Sequence, residues 1–131
     1  MGLSELNRET IVQLYLSKSD RTLKNADQEI ENQCWSSAAN RLYYSAFYAV
    51  AALFVNDGFP VNSHRGAKTL LSKEYVLTKK LDPSKARIFA QLETLRDKAD
   101  YDIIFEASEK DIAEFRPQVD EFINSIKGLI K

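Results

Sequence analysis

Residues 35–56 read WSSAANRLYYSAFYAVAALFVN, and this stretch decides the fold. Trp35, Ala38, Leu42, Ala46 (with Ser45), Ala49 and Leu53 recur at helical spacing and make one stripe. Tyr43, Phe47, Val50 and Phe54 make a parallel row beside it. A helix that is apolar on more than one face belongs at the centre of a helical assembly. At 1.5 Å per residue it would be about 33 Å long, the full height of a small bundle. Asp57-Gly58-Phe59-Pro60 stops it, because glycine can turn left-handed at a helix end and proline cannot continue the ladder.

The same period recurs on either side. Val12, Leu16, Ser19, Leu23, Ala26 and Ile30 step by four and three, and Asn32 and Gln33 break the pattern. After Pro60, Asn62 or Ser63 is the next cap, opening a short helix from His64 to about Tyr75. Asp82-Pro83 restarts the chain, with Asp82 as cap and Pro83 at the first helical position. Ile88, Leu92, Leu95, Ala99 and Ile103 form the third long stripe. Ser108 with Asp111 resembles a capping box, and Ile112, Phe115, Val119, Phe122, Ile126 and Leu129 form the fourth stripe. Pro117 sits inside that stripe without shifting its phase, so a kink is expected there and not a break. The sum is an all-α protein: an up-and-down four-helix bundle with one additional short helix, as a single domain over 1–131.

Composition narrows the function. Hydrophobic residues are 44% and charged residues 28%, a normal balance that excludes disordered and collagenous chains. Four glycines and three prolines are too few for a barrel or sandwich with its many turns. The lone Cys34 excludes an internal disulfide and any multi-cysteine zinc site, and is expected to be a small core residue. The lone His64 excludes every two-histidine metal motif. No metal and no cofactor are expected. The net charge of −1 argues against a general nucleic-acid binder. The distribution is uneven, however: residues 64–87 carry seven bases against two acids, and residues 100–131 carry eight acids against four bases. Two solvated faces would account for this, and so would an anionic partner on one side. The polar stretch from Met1 to Glu9 and the short apolar run Ala46 to Val55 predict no signal peptide, no membrane span and a cytoplasmic location.

Three clusters can carry chemistry. Arg41, Tyr44 and Tyr48 fall at i, i+3 and i+7, on a face beside the packed stripe. They read either as an aromatic rim with a snorkelling arginine, or as a groove where rings stack on a base and Arg41 holds phosphate. Arg96 and Asp100 are i, i+4 near the end of the third long helix. Helical phase puts Arg96 at the edge of the packed face, Asp100 one step further out and Tyr101 on the opposite side. They form either a rim salt bridge or a guanidinium held by a carboxylate and presented to phosphate. In Ser63-His64-Arg65-Gly66 the histidine is structural or merely exposed, and Gly66 allows close approach of another helix. Neither a glycine-rich phosphate loop nor a nucleophile elbow is present in the sequence.

Taken together, Ala38-Ala39-Asn40-Arg41-Leu42-Tyr43-Tyr44-Ser45-Ala46-Phe47, Ser63-His64-Arg65-Gly66 and Leu95-Arg96-Asp97-Lys98-Ala99-Asp100-Tyr101 resemble the HEPN domain, the higher eukaryotes and prokaryotes nucleotide-binding family. The resemblance runs from about Leu6 to Leu129. It implies an all-α bundle, often a homodimer, and in many members a small nucleotidyltransferase encoded alongside in a toxin–antitoxin or defence pair. Active members are metal-independent ribonucleases, with an arginine and, after four to six intervening residues, a histidine brought together across the dimer. Here Arg96 matches that arginine, but Tyr101, Asp102 and Ile103 stand where the histidine would be. An ionised Asp100 is a poor neighbour for a scissile phosphate. His64 replaces the missing base only if folding brings it to Arg96. The tyrosine that the transferases modify lies two residues past the histidine, so Tyr101 is a candidate out of register.

The expected role is therefore nucleotide or RNA binding, or binding of a nucleotidyltransferase partner, by a homodimer. Arg41, Tyr44, Arg96 and Asp100 line the groove, with Tyr48, His64 and Tyr101 beside it. The alternatives are a ribonuclease toxin using Arg96 and His64, and a purely structural module.

Overall fold

The two apolar rows of residues 35–56 set the arrangement, because a helix that is greasy all round must be covered on several sides. The computed structural model describes residues 5–61 and 64–131, with the side chains of residues 5, 6, 64 and 65 outside that description. Five helices follow one another: α1 (Glu5–Glu31), α2 (Trp35–Asp57), α3 (His64–Leu71), α4 (Pro83–Tyr101) and α5 (Glu109–Leu129). A single π-helical turn, Ser72–Val76, continues α3. No strand occurs among the described residues.

Helix α2 is the hub, packed against α1, α4, α5 and α3. Ala38, Leu42, Ala46, Ala49 and Leu53 are buried, and so are Tyr43, Val50 and Phe54 of the second row. Below them Phe89 of α4 stacks on Tyr43 at 5.6 Å and on Phe122 of α5 at 5.4 Å. Ser19 interrupts the apolar stripe of α1 without a desolvation penalty, because its hydroxyl donates to the Ser45 carbonyl at 2.7 Å. Helix α5 is fastened to α1 by Arg116 on Asp27 and by Lys127 on Asp20.

The punctuation of the sequence does its expected work at most ends. Gly58 closes α2 in the left-handed conformation (φ 82°), with its N–H and that of Phe59 donating back to Val55 and Phe54. The Asp82 carboxylate accepts from Ser84 N at 2.8 Å, and Pro83 takes the first turn. Ser108 and Asp111 form a complete capping box, and α5 runs unbroken through Pro117. The proposed caps Asn62 and Ser63 lie outside the described residues.

Two expectations about the packing fail first. Cys34 is exposed, not in the core. The break at Gln33 (φ 61°) carries through position 34, and α2 begins only at Trp35, so the thiol has no packed face to join. Ile103 is 98% exposed instead of closing the α4 stripe. The helix ends at Tyr101, and the Asp102 side chain accepts from Ile104 N in the turn that follows. The buried face of α4 is instead Phe89, Leu92, Leu95 and Arg96. Among the described residues, no helix is long and apolar enough to cross a membrane.

Candidate functional site

The rotation of the α4 face towards Phe89 has a direct consequence for Arg96. Phe89, Leu92 and Arg96 fall at i, i+3 and i+7, so the guanidinium that the stripe placed at an edge lies inside, 6% exposed. Its carbon stands 5.1 Å from the Tyr43 ring centroid and 5.6 Å from that of Tyr44. Its Nη2 pairs with Asp97 at 2.8 Å, and its Nη1 lies 3.8 Å from Asp100. Asp97, which sequence phase did not select, is thus the nearer counter-ion. Nε is buried with no hydrogen-bond partner.

Asp100 is drawn towards α2, where Asn40 Nδ2 donates to its Oδ2 at 2.9 Å. The amide oxygen of Asn40 accepts from Arg41 Nε and Nη2, at 2.9 and 2.6 Å. Asn40 therefore couples the arginine of α2 to the carboxylate that faces the arginine of α4. Arg41 lies 5.4 Å from the Tyr44 ring centroid, so both guanidiniums rest against one phenol ring. Such cation–ring contacts are worth about 0.5–2 kcal/mol each, more where water is excluded. Glu29, Ser36, Ser37, Asn40, Arg41, Ala99 and Asp100 line an open groove alongside.

The electrostatics keep Arg96 charged. Burial alone would lower its pKa, but Tyr44, Asp97, Tyr43 and Asp100 together raise it. Burial, then the nearby Glu93 carboxylate, pushes the Tyr43 phenol far above its usual range, so it stays neutral. Glu93 is itself a carboxylate that the sequence reading passed over. Its Oε1 pairs with Lys68 of α3 at 3.6 Å, and its Oε2 is buried without a hydrogen bond.

Of the residues picked from the sequence, Arg41, Tyr44, Arg96 and Asp100 lie together, with Arg41 and Asp100 in the groove lining and Arg96 behind it. Tyr48 lies one turn along, its ring 6.0 Å from Tyr44. Tyr101 is not on the opposite side: its exposed ring sits 5.8 Å from the Arg96 guanidinium. Helical side chains lean towards the N-terminus, which lets a ring at 101 reach a long side chain at 96. His64 opens α3, and its side chain lies outside the described residues. Tyr15 and Lys18 of α1 also reach this region, contacting Tyr48. No spacing within α1 signals that proximity. A separate pocket between α2, α3 and the segment before α3, lined by Phe47, Phe54, Val61 and Leu70 among others, is bordered by apolar side chains and presents no charged or polar side chain to a ligand. Among the described residues no cluster of three or more His, Cys, Asp or Glu side chains is placed to hold a metal.

The HEPN domain model matches residues 12–129, and the chain belongs to that family. Among curated relatives, the chain is similar to a UPF0332 protein of Thermotoga maritima, 26% identical over 95% of this chain and 94% of that one. It is also similar to a protein of Methanocaldococcus jannaschii named as a candidate toxin, 24% identical over 97% of this chain and 86% of that one.

Proposed function

We propose that this HEPN protein binds a nucleotide or single-stranded RNA at the groove beside Tyr44. Arg41 and Arg96 would hold phosphate, with Asn40 bracing Arg41 and Asp97 bracing Arg96. The observation that carries the reading is the pair of arginines from separate helices meeting on one ring. A guanidinium held by its own helix and stacked on aromatics is pre-organised for a planar or phosphate-bearing ligand. In this reading the chain is one domain over 1–131, an up-and-down four-helix bundle with α3 added, working in the cytoplasm. Its partner would be a small nucleotidyltransferase in a toxin–antitoxin or defence pair; the name of the M. jannaschii relative supports the toxin part alone. It acts as a homodimer: Tyr101, Ile103 and Ile104 expose apolar surface just beyond Arg96, where a second copy would cover it.

Calorimetric titration of ATP and of a short RNA tests the binding claim. Micromolar binding that drops at least about tenfold in Arg96→Lys and Arg41→Ala is expected, since Lys keeps the charge but loses the planar fork. Unchanged affinity in both variants rejects the site. Sedimentation of a monomer at high micromolar concentration removes the dimer.

A ribonuclease reading has one observation in its favour. Lys68 lies one helical turn after position 64, and it pairs with Glu93, three residues before Arg96. Helix α3 thus packs on the helix that carries Arg96. RNA incubated with the protein in EDTA would then yield 2′,3′-cyclic phosphate ends. Cleavage that survives His64→Ala rules out His64 as the base.

A further inference from the structure

The contacts between rings and cations do not end at Tyr44. They continue across α2 and on to α1. Tyr48 is one helical turn past Tyr44, with ring centroids 6.0 Å apart. Facing it from α1, Tyr15 lies at 6.4 Å with the rings within 25° of parallel. Lys18 Nζ stands 4.6 Å from the Tyr48 ring centroid. Tyr101, Arg96, Tyr44, Tyr48 and Tyr15 thus form a band over α4, α2 and α1, flanked by Arg41 and Lys18.

Packing alone does not account for the α1 end of this band. Tyr44 packs against the hydrophobic core, whereas Tyr15 and Tyr48 are not among the described side chains that do. Both are half-buried, and Lys18 is exposed. Rings that keep a wet side, with an exposed cation beside them, suit bases that stack and a backbone that is anionic.

We propose that Tyr15, Tyr48 and Lys18 form a second stacking subsite, which makes the ligand class a single-stranded oligonucleotide and not a mononucleotide. The inference rests on the reading that Arg41 and Arg96 bind phosphate. One nucleotide occupies the Arg41–Tyr44–Arg96 end, and the next base stacks at Tyr48 and Tyr15. Lys18 exchanges its contact with the Tyr48 ring for the phosphodiester between them. Stacking of this kind tolerates any base, so the subsite lengthens the footprint without adding sequence preference.

The test is fluorescence anisotropy with a labelled hexa-adenylate RNA, with AMP as competitor, on wild type, Tyr15→Ala, Tyr15→Leu, Lys18→Ala and Arg41→Ala. Wild type should bind the hexamer about tenfold or more tighter than AMP. Tyr15→Ala and the bulk-preserving Tyr15→Leu should both weaken the hexamer about tenfold and leave AMP unchanged. Lys18→Ala should flatten the salt dependence by about 0.7 in log–log slope, the value for one phosphate on a single strand. Equal affinity for hexamer and AMP, with neutral Tyr15 variants but AMP binding still lost in Arg41→Ala, overturns the second subsite alone. No loss for either ligand in Arg41→Ala overturns the underlying site and this inference with it.

Discussion

Arg96 and Arg116 look alike on paper and differ in what they hold. Each is an arginine on a long helix with two carboxylates in reach. Arg116 sends Nε and Nη2 to both oxygens of Asp27, at 2.6 and 2.9 Å, across 89 residues of sequence. It bolts α5 to α1, with Asp120 on its own helix as second partner. Arg96 takes both carboxylates from its own helix and meets α2 at the rings of Tyr43 and Tyr44. The Arg116 side chain is 25% exposed and that of Arg96 7%. Burial works against the charge of both: at Arg116 the Asp27 hydrogen bond is the larger influence and raises the pKa, whereas at Arg96 burial is the largest single influence and the neighbours must together outweigh it. A guanidinium spent on a bidentate bridge between helices is a strut. One that is buried, braced by carboxylates of its own helix and set against the rings of another is a group kept in position.

The largest expected effect separates the two directly. Arg96→Ala removes a buried charged hydrogen-bonding group and its ring contacts, so it should cost about 2–3 kcal/mol of stability in urea unfolding. Arg96→Lys should recover part of that stability without recovering ligand affinity. A variant as stable as wild type would show that the buried guanidinium has no special standing.

The next effect belongs to the strut. Arg116 and Asp27 are partly exposed, so a double-mutant cycle should give a coupling of about 1 kcal/mol, smaller in high salt. Arg116→Ala should leave nucleotide affinity unchanged. A drop in affinity would mean that the α1–α5 joint shapes the site, and the contrast drawn here would collapse.

The sequence made the long helices legible but not the depth of Arg96. Gly58, Pro83 and the Ser108 box are local signals, and local physics is enough to read them. The stripe of Ile88, Leu92, Leu95, Ala99 and Ile103 assumed that α4 continues past Tyr101. With Ile103 outside the helix, the packed face recentres on Phe89, and only the partners Tyr43 and Phe122 reveal that centre. Arg96 moved from rim to interior for the same reason. Tyr15 and Lys18 stayed invisible because their relation to Tyr48 exists only once α1 lies on α2. Cys34 misled because free cysteine is usually buried, while the chain around it turns in the open. Arg41 and Tyr44 were legible because three- and four-residue spacings survive any rotation of the helix.

A smaller effect lies in alkaline solution. Tyr43 and Tyr75 both hold their protons more tightly in the fold than when unfolded, chiefly through burial. The unfolded chain releases those protons near pH 10, so their contribution is complete below that pH and falls as the pH rises past it. Stability followed by urea midpoints should therefore be level up to about pH 9.5 and decline above it. Tyr43→Phe should soften the decline. Arg116→Ala should not, since its partners are carboxylates already ionised in that range.

The smallest effect probes what the carboxylates beside Arg96 do to a ligand. Asp100→Asn preserves an acceptor for Asn40 Nδ2 but removes a negative charge 3.8 Å from Arg96 Nη1. That ion pair is long and its carboxylate is partly exposed, so stability should change by less than about 0.5 kcal/mol. Affinity for an anionic ligand should rise a few-fold, because Asp100 competes with phosphate for the same guanidinium. A fall in affinity would reverse the assignment: Asp100 would then act by aiming Arg96 and Asn40, and the two cations would depend on that carboxylate for their shape. Asp120→Asn, the matching change beside Arg116, should leave ligand affinity unchanged, which fixes the baseline for reading so small a shift.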